Sequence, residues 1–151
     1  MFRRSLLVTL IVGFVLSAGA WAAGSSSSSS TPRISKSNTY DSAVRAVKGG
    51  DYRKAISLLQ QVVASDARNA DAWNYLGFSN RKLKRLDEAL AAYQKALAID
   101  PDHRGANEYL GELYLDMGDL PKAKERLQRL DKACRFGCKE YDELKAAIEA
   151  H

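Results

Sequence analysis

The chain reads as all-α: an array of about three antiparallel helix pairs, closed by one further helix. Three observations predict this. Ala55, Ala89 and Ala123 recur every 34 residues, and Leu76 with Leu110 and Gly77 with Gly111 repeat at the same interval. Between these marks the apolar residues fall three and four apart, the spacing of one helix face. Gly50-Asp51 and Gly118-Asp119 interrupt the pattern in the middle of the first and third units. There glycine can end one helix and aspartate can cap the next.

The first residues lie outside this pattern. Arg3 and Arg4 precede an apolar run over 5–20, and Ala20-Trp21-Ala22 offers a small-x-small site. That layout predicts a secretory signal peptide over residues 1–22, cleaved after Ala22 or Ala23. The alternative is an uncleaved segment that anchors the chain in the inner membrane. The run is marginal for that, since a span needs about 20 apolar residues. No cysteine lies near the cleavage site, which excludes lipoprotein processing. Residues 23–36 contain Ser25 to Ser30, then Thr31 and Pro32, and read as a flexible linker. The folded domain is then 37–151, located in the periplasm or secreted.

Tyr40, Ala43, Val44 and Val47 predict a first helix over 38–48. Gly49 and Gly50 stop it, and Asp51 caps a second over 52–64. Ala55, Ile56, Leu58, Leu59, Val62 and Val63 give that helix a wide apolar face, suited to packing on two sides. Asn69 is a candidate N-cap for a third helix from Ala70 to about Leu83. A fourth covers Leu86 to Ile99, before Pro101. The fifth runs from about His103 to Met117 and the sixth from Leu120 to about Ala133. Pro121 falls in a first turn, where its missing N–H is harmless. Cys138 to Ala150 is the last helix. Its Tyr141, Leu144 and Ile148 follow Asn107, Leu110 and Tyr114 by the same 34 residues, so it opens an unfinished fourth unit. Lys139, Glu140, Asp142, Glu143 and Glu149 give it the polar side of an end cap. The repeats are about 36–69, 70–103 and 104–137, with a capping helix at 138–150.

The central unit sets Trp73, Leu76, Gly77, Ala89, Tyr93, Ala96 and Pro101 where two helices must nest, and the third keeps Leu110, Gly111, Tyr114 and Ala123. On these residues the chain resembles the tetratricopeptide repeat family, from about Lys36 to the C-terminus. Gly77 and Gly111, with Ala43, are expected where the two helices of a unit cross. Ala89 and Ala123 face them, and Trp73, Leu76 and Tyr93 fill the space beside the contact. The resemblance implies a right-handed superhelical solenoid whose first helices line a concave groove, with a peptide or protein segment as ligand. Carried over in register, the partner-binding groove comprises Tyr40, Val44, Val47, Asn74, Phe78, Arg81, Lys82, Glu108, Glu112 and Leu115, flanked by Tyr75 and Tyr109. One subgroup of the family clamps the C-terminal carboxylate of chaperones with lysine, asparagine and arginine. Those places here hold Tyr40, Val44, Tyr75, Gly105 and Tyr109, so that partner class is not carried over.

Cys134 and Cys138 flank Arg135-Phe136-Gly137 where the central unit has its proline turn. In an exported chain, this separation around a glycine turn suits a disulfide. So small a loop contributes about 2 kcal/mol. A redox-active pair or a soft-metal site is the alternative; it would make the chain a thiol-redox or metal-handling accessory protein. The sequence has no glycine-rich phosphate loop, no histidines at metal spacing and no nucleophile with a base. No enzyme activity, metal or cofactor is therefore expected. A net charge of +5 that mixes 18 acids with 23 bases does not argue for nucleic acid. The basic run Arg81 to Arg85 and the set Lys122, Lys124, Arg126, Arg129 and Lys132 read as solvated faces, or as weak attraction to anionic lipid or an acidic partner. The function expected is a protein–protein interaction module or scaffold of the cell envelope, with peripheral membrane association.

Overall fold

The computed structural model describes residues 36–151. The expected signal peptide and the linker up to residue 35 lie outside the described residues. Seven helices follow one another: α1 (Lys36–Lys48), α2 (Tyr52–Ser65), α3 (Ala70–Lys82), α4 (Leu86–Ile99), α5 (Arg104–Asp116), α6 (Leu120–Ala133) and α7 (Lys139–Glu149). No strand occurs among the described residues. Each helix packs on the next, joined by turns too short for anything but an antiparallel pair.

One turn is built three times. After α1, the N–H groups of Gly50 and Asp51 donate to the carbonyls of Val47 and Ala46. After α3, those of Lys84 and Arg85 donate to Arg81 and Asn80. After α5, those of Gly118 and Asp119 donate to Leu115 and Tyr114. The bonding requires a left-handed residue at the centre: Gly50 and Gly118 at φ 77°, but Lys84 at φ 60°. Asp51 and Asp119 then cap the following helix through their carboxylates, whereas Arg85 makes no side-chain cap bond. The central unit thus carries a lysine where backbone sterics favour glycine, and an arginine where they favour a capping oxygen. Lys84→Gly combined with Arg85→Asp is expected to stabilise the protein by about 1–2 kcal/mol, read as a higher midpoint in urea.

The turns between units are pinned by residue 73 and its counterpart 34 later. The Trp73 indole N–H donates to the Ala67 carbonyl at 3.0 Å, and the Asn107 side-chain amide donates to the Pro101 carbonyl at 3.1 Å. Both reach back six residues, so the asparagine replaces the tryptophan's hydrogen bond without its bulk. His103 caps α5 by accepting from the Ala106 N–H at Nδ1. That leaves Nε2 to donate to Asp71, 2.9 Å away at the start of α3. Two successive units are thereby tied at their first turns.

The core runs in three patches. Ala43, Ile56, Leu59, Val62, Leu76 and Ala92 join the first four helices; Ala89, Tyr93, Leu110 and Leu113 join α4 to α5; Leu130, Cys134 and Leu144 close the end. The helix crossings are tightest at two glycines. A Cβ on Gly77 would lie 2.6 Å from the Tyr93 ring, within the same unit as the sequence predicts. A Cβ on Gly111 would lie 2.5 Å from Leu144. That corrects the expectation of a crossing within the third unit, because the space above Gly111 is filled by α7. The reason is the residue in Tyr93's place on α6, Leu127. It is only partly buried and joins the end patch, so Leu144 enters the gap.

Candidate functional site

The first helices touch one another, α1 with α3, α3 with α5 and α5 with α7, while α2, α4 and α6 do not meet. The side carrying the first helices is therefore the inner side of the curve. On it a row of aromatic rings crosses three units. Tyr40 and Tyr75 stand 6.3 Å apart between ring centres, and Phe78 and Tyr109 stand 4.9 Å apart. Tyr75 and Phe78 are three apart on α3, so they share a face. All four rings are partly exposed. Tyr52 of α2 approaches Phe78 at 6.0 Å, and the Lys82 ammonium lies 5.1 Å from the Phe78 ring centre. Burial, then Asp71, pushes the Tyr40 hydroxyl up to about 12. Burial, then Glu108, does the same for Tyr109. Both therefore remain neutral hydrogen-bonding groups at any physiological pH.

Beside the rings lies a charged stretch spanning α3, α5 and α7. Arg81 pairs with Glu112, and its second terminal nitrogen stands 3.5 Å from Asp116. Glu108 is 4% exposed. Burial, then Glu143 and Glu112, pushes its carboxyl up to about 8, so it is protonated at neutral pH. The Lys139 ammonium, 3.0 Å from Glu143, holds that residue below the usual carboxylate range. Behind the rings the Tyr93 hydroxyl is buried without a hydrogen-bond partner in the protein, and burial raises its pKa well above the usual value.

The sequence-predicted groove residues divide into three kinds. Tyr40, Val44, Phe78, Arg81 and Glu112 are partly exposed and Lys82 is exposed. Asn74, Val47, Glu108 and Leu115 are buried, at 5%, 8%, 4% and 7% exposure, and sit in the walls between helices rather than on an open surface. The Asn74 amide is pressed toward Gly105, where a Cβ would lie 3.1 Å from it. Sequence reasoning did not single out Glu140 and Glu143 as neighbours of Glu108, since α7 was read only as a polar cap. Cys134 and Cys138 stand at disulfide distance, with sulfurs 2.11 Å and Cα atoms 5.6 Å apart. No cluster of three or more His, Cys, Asp or Glu residues is arranged to hold a metal among the described residues.

Two family models, each described as tetratricopeptide repeat, match residues 40–104 and 80–148. Together they cover the helices from Tyr40 onward. The chain belongs to the tetratricopeptide repeat family. Tetratricopeptide repeat protein 37 of Xenopus laevis is 32% identical over 91 residues, which are 56% of this chain but 6% of that protein. This chain therefore corresponds to a small part of the curated relatives it matches. Solved structures of other proteins share the fold. One is the type III secretion chaperone SycD of Yersinia enterocolitica in complex with a peptide of the translocator YopD. It has a TM-score of 0.66, 19% identity, and coverage of 76% of this chain and 86% of that one. Another is the first TPR of Spaghetti (RPAP3) bound to an HSP90 peptide. It has a TM-score of 0.68, 18% identity, and coverage of 76% and 91%.

Proposed function

We propose that the chain is a protein-interaction module that binds a peptide or protein segment along its first helices, as a scaffold or assembly factor of the cell envelope. The row of partly exposed rings, Tyr40, Tyr75, Phe78 and Tyr109, carries this reading. Such rings offer large contact area for little loss of rotamer entropy, which is why they anchor interfaces. The fold neighbours that hold peptides, SycD and Spaghetti, support it. Tyr40, Tyr75 and Tyr109 occupy places where a carboxylate clamp would put charged or amide groups, which favours a segment with apolar side chains over a chain terminus. Export rests on the layout of residues 1–22, and peripheral membrane association on the basic surface. Burial of Cys134 in the end patch beside Leu130 and Leu144 favours a structural disulfide over a redox role.

A photo-crosslinking residue tests the reading when placed at 78 and, as a control, at the exposed position 94 on the outer side. Partner crosslinks are expected from 78 and not from 94. Phe78→Ala and Tyr40→Ala should each weaken partner binding by about 1–2 kcal/mol with unchanged helicity by circular dichroism. Full retention of binding by both variants would count against the groove.

A further inference from the structure

We propose that the turn between α6 and α7 is a docking tip for an anionic membrane surface, with Arg104 and Arg135 holding a lipid phosphate and Phe136 entering the interface. Phe136 is 101% exposed, against 44% for Met117, the other exposed large hydrophobic among the described residues. Its neighbours hold it there. Cys134 is buried in the end patch, Cys138 stands at disulfide distance from it, and Gly137 takes the left-handed conformation at φ 83°. A five-residue loop closed in this way cannot fold the ring back onto the core.

Beside the ring is a cavity of about 290 Å³ lined by Arg104, Ala133, Cys134, Arg135, Phe136 and Gly137. Among the described residues neither arginine is ion-paired, a state they share with Arg45, Arg53, Arg68 and Arg85, whereas Arg81, Arg126 and Arg129 each meet a carboxylate. Two arginines lining one cavity suit a phosphate, which guanidinium groups bind through forked N–H donors. Lys132, exposed in the last turn of α6, adds to the positive field. The ring decides between sources of that phosphate. A free anion gives no reason to hold a phenyl group in water, whereas the bilayer interface takes both the ring and the cations. None of these residues belongs to the aromatic row, so the tip is independent of the proposed groove.

The test is co-sedimentation of the full chain with vesicles of phosphatidylcholine alone, and with phosphatidylglycerol added, at low salt. The apolar run at 5–20 can bind either vesicle, so the readout is the ratio of the two partition coefficients. Arg104→Gln with Arg135→Gln is expected to lower that ratio roughly thirtyfold. Phe136→Ser should lower partition onto the anionic vesicles about tenfold. Both variants should keep the parent's helicity, since Arg135 and Phe136 lie in a turn, Arg104 is the first residue of α5, and all three are exposed. An unchanged ratio in the arginine variant, or parental binding by Phe136→Ser, overturns the proposal. So does binding of inorganic phosphate, or of an acidic protein, by a parent chain that shows no preference for anionic vesicles.

Discussion

Replacing Gly77 by valine is expected to destabilise the protein by about 3 kcal/mol, read as a lower midpoint in urea unfolding. Its cause is the Tyr93 ring, fully buried, with carbons 2.6 Å from where a Cβ would stand. A flat ring between two helices has no free rotamer, so the helices themselves must part. Even Gly77→Ala should lose stability, although alanine gains about 1 kcal/mol of helix propensity. The clash and the ring are one interaction, so they should couple. Tyr93→Leu copies the third unit and leaves room beside residue 77. In that background Gly77→Ala should be close to neutral. Additive costs in the double variant would mean that the ring is not what excludes the methyl group. Gly111→Ala should cost less than Gly77→Ala, because the obstacle there is the flexible end of Leu144.

Stability should fall as the pH rises from about 5 to about 8, by about 2 kcal/mol once screening by water and salt is allowed for. The group responsible is Glu108. Its folded pKa of about 8 lies above its ordinary 4.5, so between those values the folded protein binds the proton that the unfolded chain releases. The contribution is therefore fully present below 4.5 and lost as the pH rises through 8. Burial is the main cause, and Glu143, Glu112 and Glu140 add to it. Glu108→Gln keeps a donor toward Glu143 and removes the titration. Its urea midpoint should depend less on pH and exceed the parent's at pH 9. A parent whose stability is flat over this range would exclude the buried proton.

The architecture was legible because packing repeats. The 34-residue spacing located seven helices, and Asp51, Asn69 and Asp119 proved to be the capping residues their chemistry suggests. What escaped the sequence depended on neighbours distant along the chain. Gly111 was read by analogy with Gly77, but Leu127 lacks the reach of Tyr93 and a later helix took its place. Lys84 occupies the register of Gly50 and Gly118 without looking like them, and only its φ reveals the shared turn. Helix register placed Asn74, Glu108 and Leu115 on the groove side. Their depth is set by how closely α3, α5 and α7 approach, which periodicity does not encode. Glu108's proton likewise follows from α7 bringing Glu140 and Glu143 near, a matter of tertiary placement.

The filling of the Gly111 gap by Leu144 couples the exposure of α5 to the opening of α7. In a stack of helices the terminal one frays first. Here the opening of α7 uncovers Gly111 and the buried Glu108 together. Amide protons of α5 and α7 should therefore exchange with deuterium at a common rate. Among the described helices α1, at the other end, meets only α2 and α3 and should exchange separately from α5 and α7.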